Sequence, residues 1–151
     1  MYNLLCALEH KNNIMYSIKC ESKDDEYFYY KAKNEYGQII ELHVYIYDKN
    51  IIRKTNYWNV SFHVGKRKHT TDDFEQLKIR GKDGIKSLLW GKRCLKNFID
   101  IMNLDGKYDD FDNVICVFGT DKRRKGAYEY GLKDLGFKKD SCHLFLKIPA
   151  H

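Results

Sequence analysis

Arg80-Gly81-Lys82-Asp83-Gly84 opens a long amphipathic run that ends near Met102. Val114-Ile115-Cys116-Val117-Phe118 comes next, then Asp121-Lys122-Arg123-Arg124, which leads to Leu135-Gly136-Phe137. A glycine-bearing turn, a helical stripe, an apolar strand, a second helical stripe and a closing strand, in that order, narrow the fold more than any single residue does. Ile85, Leu88, Leu89, Leu95, Phe98, Ile99 and Met102 fall on one helical face. Residues 114–118 are continuously apolar and rich in β-branched side chains, as in a strand covered on both faces. Ala127, Tyr128, Gly131, Leu132 and Leu135 make the second stripe, with Gly136 placed to end it. Cys142, Leu144, Leu146 and Ile148 alternate as a last strand, and residues 104–112 read as a polar connection.

Upstream, the period changes from helical to two. Ile14, Tyr16, Ile18 and Cys20 alternate with polar neighbours, and residues 27–33 are rich in aromatics. Ile40, Leu42, Val44 and Ile46 alternate with Glu41, His43, Tyr45 and Tyr47; Trp58, Val60, Phe62 and Val64 alternate with Tyr57, Asn59, Ser61 and His63. Such patterns predict an antiparallel meander with one buried face. Residues 35–38 read as a turn, 65–73 as a polar hairpin loop and 74–80 as a further strand. The expected class is therefore α/β (α+β): an N-terminal antiparallel meander followed by strand-helix-strand-helix-strand, in one domain over 1–151.

The chain has 151 residues, 43% hydrophobic and 32% charged, enough for one domain with a real core. No apolar run approaches the roughly 18 residues of a membrane span. The first residues lack the basic and apolar regions of a secretory signal, so a cytoplasmic protein without a membrane partner is expected. The five cysteines include no CxxC pair, which points to buried thiols rather than a disulfide framework or a metal site. The formal charge of +6 favours anionic partners: nucleic acid, a phosphorylated cofactor or an acidic protein surface. Abundant Lys, Asn, Ile and Tyr with scarce Pro and Ala is the usage of an AT-rich genome, such as a low-GC bacterium or its phage.

The order of elements, the turn at residues 80–84 and the Leu135-Gly136-Phe137 ending resemble the core of the GCN5-related N-acetyltransferase (GNAT) superfamily over about residues 40–148. The resemblance implies an antiparallel meander, a pyrophosphate-binding turn and helix, a parallel strand, a second helix and closing strands. It implies transfer of an acetyl group from acetyl-CoA to an amine of a small molecule or protein. Cofactor contacts would fall on Arg80, Gly81, Lys82, Gly84, Ile85 and Lys86, with Arg123 and Arg124 adding charge. A base on the central strands would be Glu41 or His63. The family's usual tyrosine position holds Leu132, and Tyr128 lies one turn earlier on the same face. The family's two acceptor-shaping N-terminal helices have no strong counterpart in residues 1–40.

Each of these residues has an ordinary structural reading beside the functional one. The turn at 80–84 is either a phosphate cradle or a strand-to-helix connection capped by Asp83. Among twelve tyrosines, Tyr128 packs into a core by default, and Glu41, His43 and His63 sit by default on a solvated strand face. The alternative function is a GNAT-shaped, non-catalytic binder, of the kind a phage or mobile element encodes to block a host factor. It would dock an acidic protein surface or nucleic acid through Lys66-Arg67-Lys68-His69, Arg123-Arg124-Lys125 and the aromatic strands, or form a homodimer through them.

Overall fold

The computed structural model describes residues 16, 18–34, 37–66, 69–71, 82–118, 122–140 and 143–151. Strands β1 (Cys20–Asp24), β2 (Tyr27–Lys33), β3 (Ile39–Asn50) and β4 (Thr55–Lys66) form the antiparallel meander that the period-two patterns predict. Asp24 closes the first turn by accepting from the Glu26 amide at 2.7 Å. Asn50 closes the β3–β4 turn by accepting from the Arg53 amide at 2.9 Å, and Lys54 takes the left-handed conformation there (φ 48°). A short strand, β5 (His69–Thr71), turns back onto the end of β4.

Helix α1 (Lys82–Leu104) carries the chain to β6 (Asp112–Phe118), which runs parallel to β4. Helix α2 (Lys122–Leu132) is tightened by a 3-10 turn, Lys133–Leu135, and stopped by Gly136 in the left-handed conformation (φ 93°). Strands β7 (Lys138–Asp140) and β8 (His143–Ile148) close an eight-stranded sheet of order β1-β2-β3-β4-β6-β8-β7, with β5 paired to β4. The β4–β6 pair is the one parallel pairing among the described strands.

The core lies on the helix-covered face. Phe28, Tyr30, Ile40, Leu42, Val44, Trp58, Val60, Phe62, Ile115 and Val117 bury there against α1. Trp58 meets Phe98 edge-on with ring centroids 5.0 Å apart, and Phe28 meets Phe98 at 5.4 Å. A fully buried side chain of this size contributes about 1.5–3 kcal/mol over an exposed one. Asn113 is the polar pin of this core. Its Oδ1 accepts from Trp58 Nε1 (2.9 Å) and Asn56 Nδ2 (3.2 Å), and its Nδ2 donates to the Tyr108 and Phe111 carbonyls (3.1 and 3.2 Å).

Several details differ from the sequence-based expectation. The first strand starts at Cys20; Tyr16 and Ile18 pack against the core ahead of it, and the Tyr16 carbonyl accepts from Arg93 of α1 at 3.2 Å. The hairpin expected over 65–73 is narrower, because β4 continues to Lys66 and β5 begins at His69. The connection after α1 contains a 3-10 turn, Gly106–Tyr108, that buries Tyr108. The face of α1 also carries Trp90 and Cys94, both fully buried, which the apolar stripe omitted. Strand β6 is covered on both faces over residues 115–117, as expected, with the Tyr47 hydroxyl 3.7 Å from the Cys116 sulfur; only its end differs, where Phe118 stays 42% exposed. The strand expected over 74–80, the start of the alternation at Ile14 and the position of Cys142 lie outside the described residues. No helix among the described residues is long and apolar enough to cross a membrane.

Candidate functional site

Parallel strands β4 and β6 stay paired only from Thr55↔Asp112 to Val60↔Val117. The next partner of β4 on that side, among the described residues, is Thr71 opposite Val64. Where the strands part, a cleft of about 900 Å³ opens between them, α1 and α2. Val60, Phe62 and Val117 line it from the helix-covered face. Ser61 and Phe118 line it too, although strand alternation points them to the opposite face. Residues that alternate to opposite faces, Val60 and Phe62 with Ser61, Val117 with Phe118, therefore border one cleft at the point where the strands part.

Glycines shape the walls of this cleft. A Cβ at Gly91 would lie 3.4 Å from Phe62 Cε2, so the glycine lets α1 sit close to β4. A Cβ at Gly131 would meet nothing within 4 Å, so α2 leaves room beside it. Leu88 and Leu89, in the second turn of α1, and Leu95 add apolar wall, and Tyr128 and Lys92 bring the polar groups. Lys92 Nζ is held by Asp134 at 2.7 Å.

On the opposite face a polar square stands beside the opening. Register places Glu41 opposite His63 and His43 opposite Ser61. Along β3, His43 Nε2 lies 3.1 Å from Glu41 Oε2; along β4, Ser61 Oγ lies 2.7 Å from His63 Nε2. The two imidazoles meet edge-on across the strands, centroids 5.3 Å apart. Tyr27 reaches His43 Nδ1 at 2.6 Å, and Tyr29 stacks on the same ring at 5.9 Å. Burial, then Tyr45 and Glu41, hold the Tyr27 hydroxyl above its ordinary pKa, so it stays protonated and donates. Both ring nitrogens of His43 thus have partners, Nδ1 in Tyr27 and Nε2 in Glu41.

This corrects the expectation of a solvated strand face. The side chains of Glu41 and His43 are only 17% and 20% exposed. The sequence set Glu41 and His63 on separate strands; register brings them opposite each other. Tyr128 is half-buried against the core and lines the cleft from the helix side, whereas Glu41 and His63 pair on the opposite face of the sheet and do not line it, so the three expected catalytic residues do not share one face. Leu132, at the usual tyrosine position, is buried at 8% exposure. The expected cofactor residues divide. Helix α1 begins at Lys82, so Gly84, Ile85 and Lys86 belong to its opening turns, and Arg123 and Arg124 to the opening turn of α2. Arg80 and Gly81, and the side chains of Lys82, Ile85, Arg123 and Arg124, lie outside the described residues, as does the Asp83 carboxylate.

Ser61, Lys92, Gly131 and Phe118 are site residues that sequence patterns did not single out. Only the glycine in an apolar stripe carried a signal, as a gap on a packed face. Burial raises the thiols of Cys94, Cys116 and Cys20 above their ordinary pKa; Cys94 and Cys116 are buried and Cys20 half-buried, while Cys6 and Cys142 lie outside the described residues. No group of three His, Cys, Asp or Glu among the described residues is arranged to hold a metal ion. No protein-family model matches the chain, and no curated protein matches it.

Proposed function

We propose that the chain is an acyl-CoA-dependent N-acyltransferase of GNAT-like architecture. The observation that carries this reading is the cleft where β4 and β6 part, bordered by Ser61 of the polar square. The order of meander, helix, parallel strand, helix and closing strands supports it. The cleft also fits an acyl-pantetheine arm. It is walled by Val60, Phe62, Leu88, Leu89 and Leu95, with room left beside Gly131.

When bound, acetyl-CoA supplies a thioester carbonyl open to a nucleophile. The chain's own residues do the rest. The first turn of the 23-residue helix α1 presents backbone N–H groups without intrahelical partners, and Gly81, Gly84 and Ile85 are the positions for a pyrophosphate. Lys86 stands in the second turn of that helix, and Arg80, Lys82, Arg123 and Arg124 would add positive charge by their position in the sequence. The leucine, valine and phenylalanine walls exclude water, which strengthens every polar contact inside. Tyr128 is the proton donor on the helix side, taking the role that buried Leu132 cannot. Glu41 and His63, on the other side, accept the proton of an incoming amine.

Thiol release from acetyl-CoA in the presence of a primary-amine panel tests this. Release that depends on the amine and falls about 100-fold or more in Glu41→Gln is expected. Release that ignores both the amine and the variant would contradict it. A second reading, the GNAT-shaped binder, draws on one observation: the tyrosine position is filled by a buried leucine. It predicts acetyl-CoA binding or none, but no thiol release with any amine.

A further inference from the structure

We propose that Ser61 is a covalent acyl acceptor, so that transfer proceeds in two steps through an acyl-serine. This rests on the acyl-donor cleft described above. Ser61 lines that cleft, and its Oγ stands 2.7 Å from His63 Nε2, the separation of a nucleophile from its base. Of the two histidines in the square, His43 has both ring nitrogens committed to Tyr27 and Glu41. His63 Nε2, the ring atom that faces the Ser61 oxygen, handles the serine's proton. Glu41 lies opposite His63 in the strand register, placing a carboxylate next to the imidazolium that forms when the proton moves.

The step balances without an oxidant or reductant. The Ser61 hydroxyl proton passes to His63 Nε2 as Oγ bonds to the acyl carbonyl carbon. The carbon–sulfur bond breaks, and in this route the thiolate leaves with the proton from His63 in place of one from Tyr128. An amine, or water in its absence, then attacks the ester. Ser61 Oγ regains a proton as the amide, or the free acid, departs.

The test uses the intact chain and two acyl donors in separate arms: p-nitrophenyl acetate, which needs no CoA site, and acetyl-CoA. Intact mass and peptide mapping are the readouts. One acetyl group on Ser61 in both arms is expected, together with a stoichiometric burst of p-nitrophenolate. Ser61→Ala should lose both the mass shift and the burst, Ser61→Cys should carry the acetyl group as a thioester, and His63→Ala should slow acylation about 100-fold or more. Circular dichroism checks that each variant folds; Ser61→Ala changes one oxygen atom and carries the test if His63→Ala does not fold. Acetyl groups on lysines alone, with Ser61 unmodified in both arms, would overturn the proposal. Calorimetry separates the two readings. Heat of acetyl-CoA binding without acyl-Ser61 sinks the two-step route and leaves direct transfer standing. Labelling of Ser61 by p-nitrophenyl acetate without acetyl-CoA binding supports the nucleophile and removes the acyl-CoA reading.

Discussion

The same strands build two unlike faces. Trp58, Val60 and Phe62 of β4 point under the helices into a packed aromatic core, whereas Asn59, Ser61 and His63 point the other way into a hydrogen-bonded square and its tyrosines. On the first face the driving force is area removed from water, which depends little on which apolar residue sits opposite which. On the second face the arrangement depends on pairing: Glu41 meets His63, and His43 meets Ser61, only in one register. A one-residue slip would exchange the faces entirely. Stability therefore resides mainly on one face, while the paired polar side chains gather on the other.

Truncating each face in turn is the strongest way to break this contrast. Trp58→Ala should cost about 3–5 kcal/mol in urea unfolding. Its neighbour Asn59, which donates to the Tyr45 hydroxyl at 2.8 Å, should cost about 1 kcal/mol or less on replacement by alanine. Equal losses would mean that the two faces share the load. Asn113→Leu comes next. It leaves buried Trp58 Nε1 without its acceptor and should cost about 1–3 kcal/mol by the same measurement.

Two glycines sharpen the account of α2. Gly126 is helical and exposed, and a Cβ there meets nothing, so Gly126→Ala should stabilise by about 1 kcal/mol. Gly136 sits at φ 93°, and a Cβ there would lie 3.4 Å from Leu146, so Gly136→Ala should destabilise by about 1 kcal/mol or more. Paired thermal melts read the opposite signs directly.

The smallest effect concerns pH. Tyr30 is raised above the ordinary tyrosine value of 10.0, chiefly by burial and then by its bond to Cys20. A raised folded value means stability that is whole below pH 10 and lost as pH rises, because the unfolded chain releases its proton first. Tyr30→Phe should flatten the decline of the melting temperature above pH 10, while giving up the 2.8 Å bond to Asn97 at every pH. An unchanged alkaline slope would remove Tyr30 from the titrating groups that matter.

The helix-covered face was readable because burial repeats with the period of each element. Ile40, Leu42, Val44, Trp58, Val60, Phe62, Phe98 and Met102 all stand where alternation or the helical stripe placed them. Trp90 and Cys94 were missed because they widen the stripe beyond its narrowest reading. The site was only partly legible. Glu41, His63 and Tyr128 were named through the family resemblance, but the pairing of Glu41 with His63 was hidden, since strand register follows from tertiary packing. Ser61 carried no signal at all until Val60↔Val117 proved to be the last paired position.

The most direct measurement is titration calorimetry of acetyl-CoA into the wild-type chain and into Gly131→Trp. The indole would occupy the space that Gly131 leaves open in the cleft. Micromolar binding by the wild type, abolished in a variant that still folds, is the expected result. No binding, or binding that Gly131→Trp leaves untouched, would contradict a donor site in the cleft where the two parallel strands part.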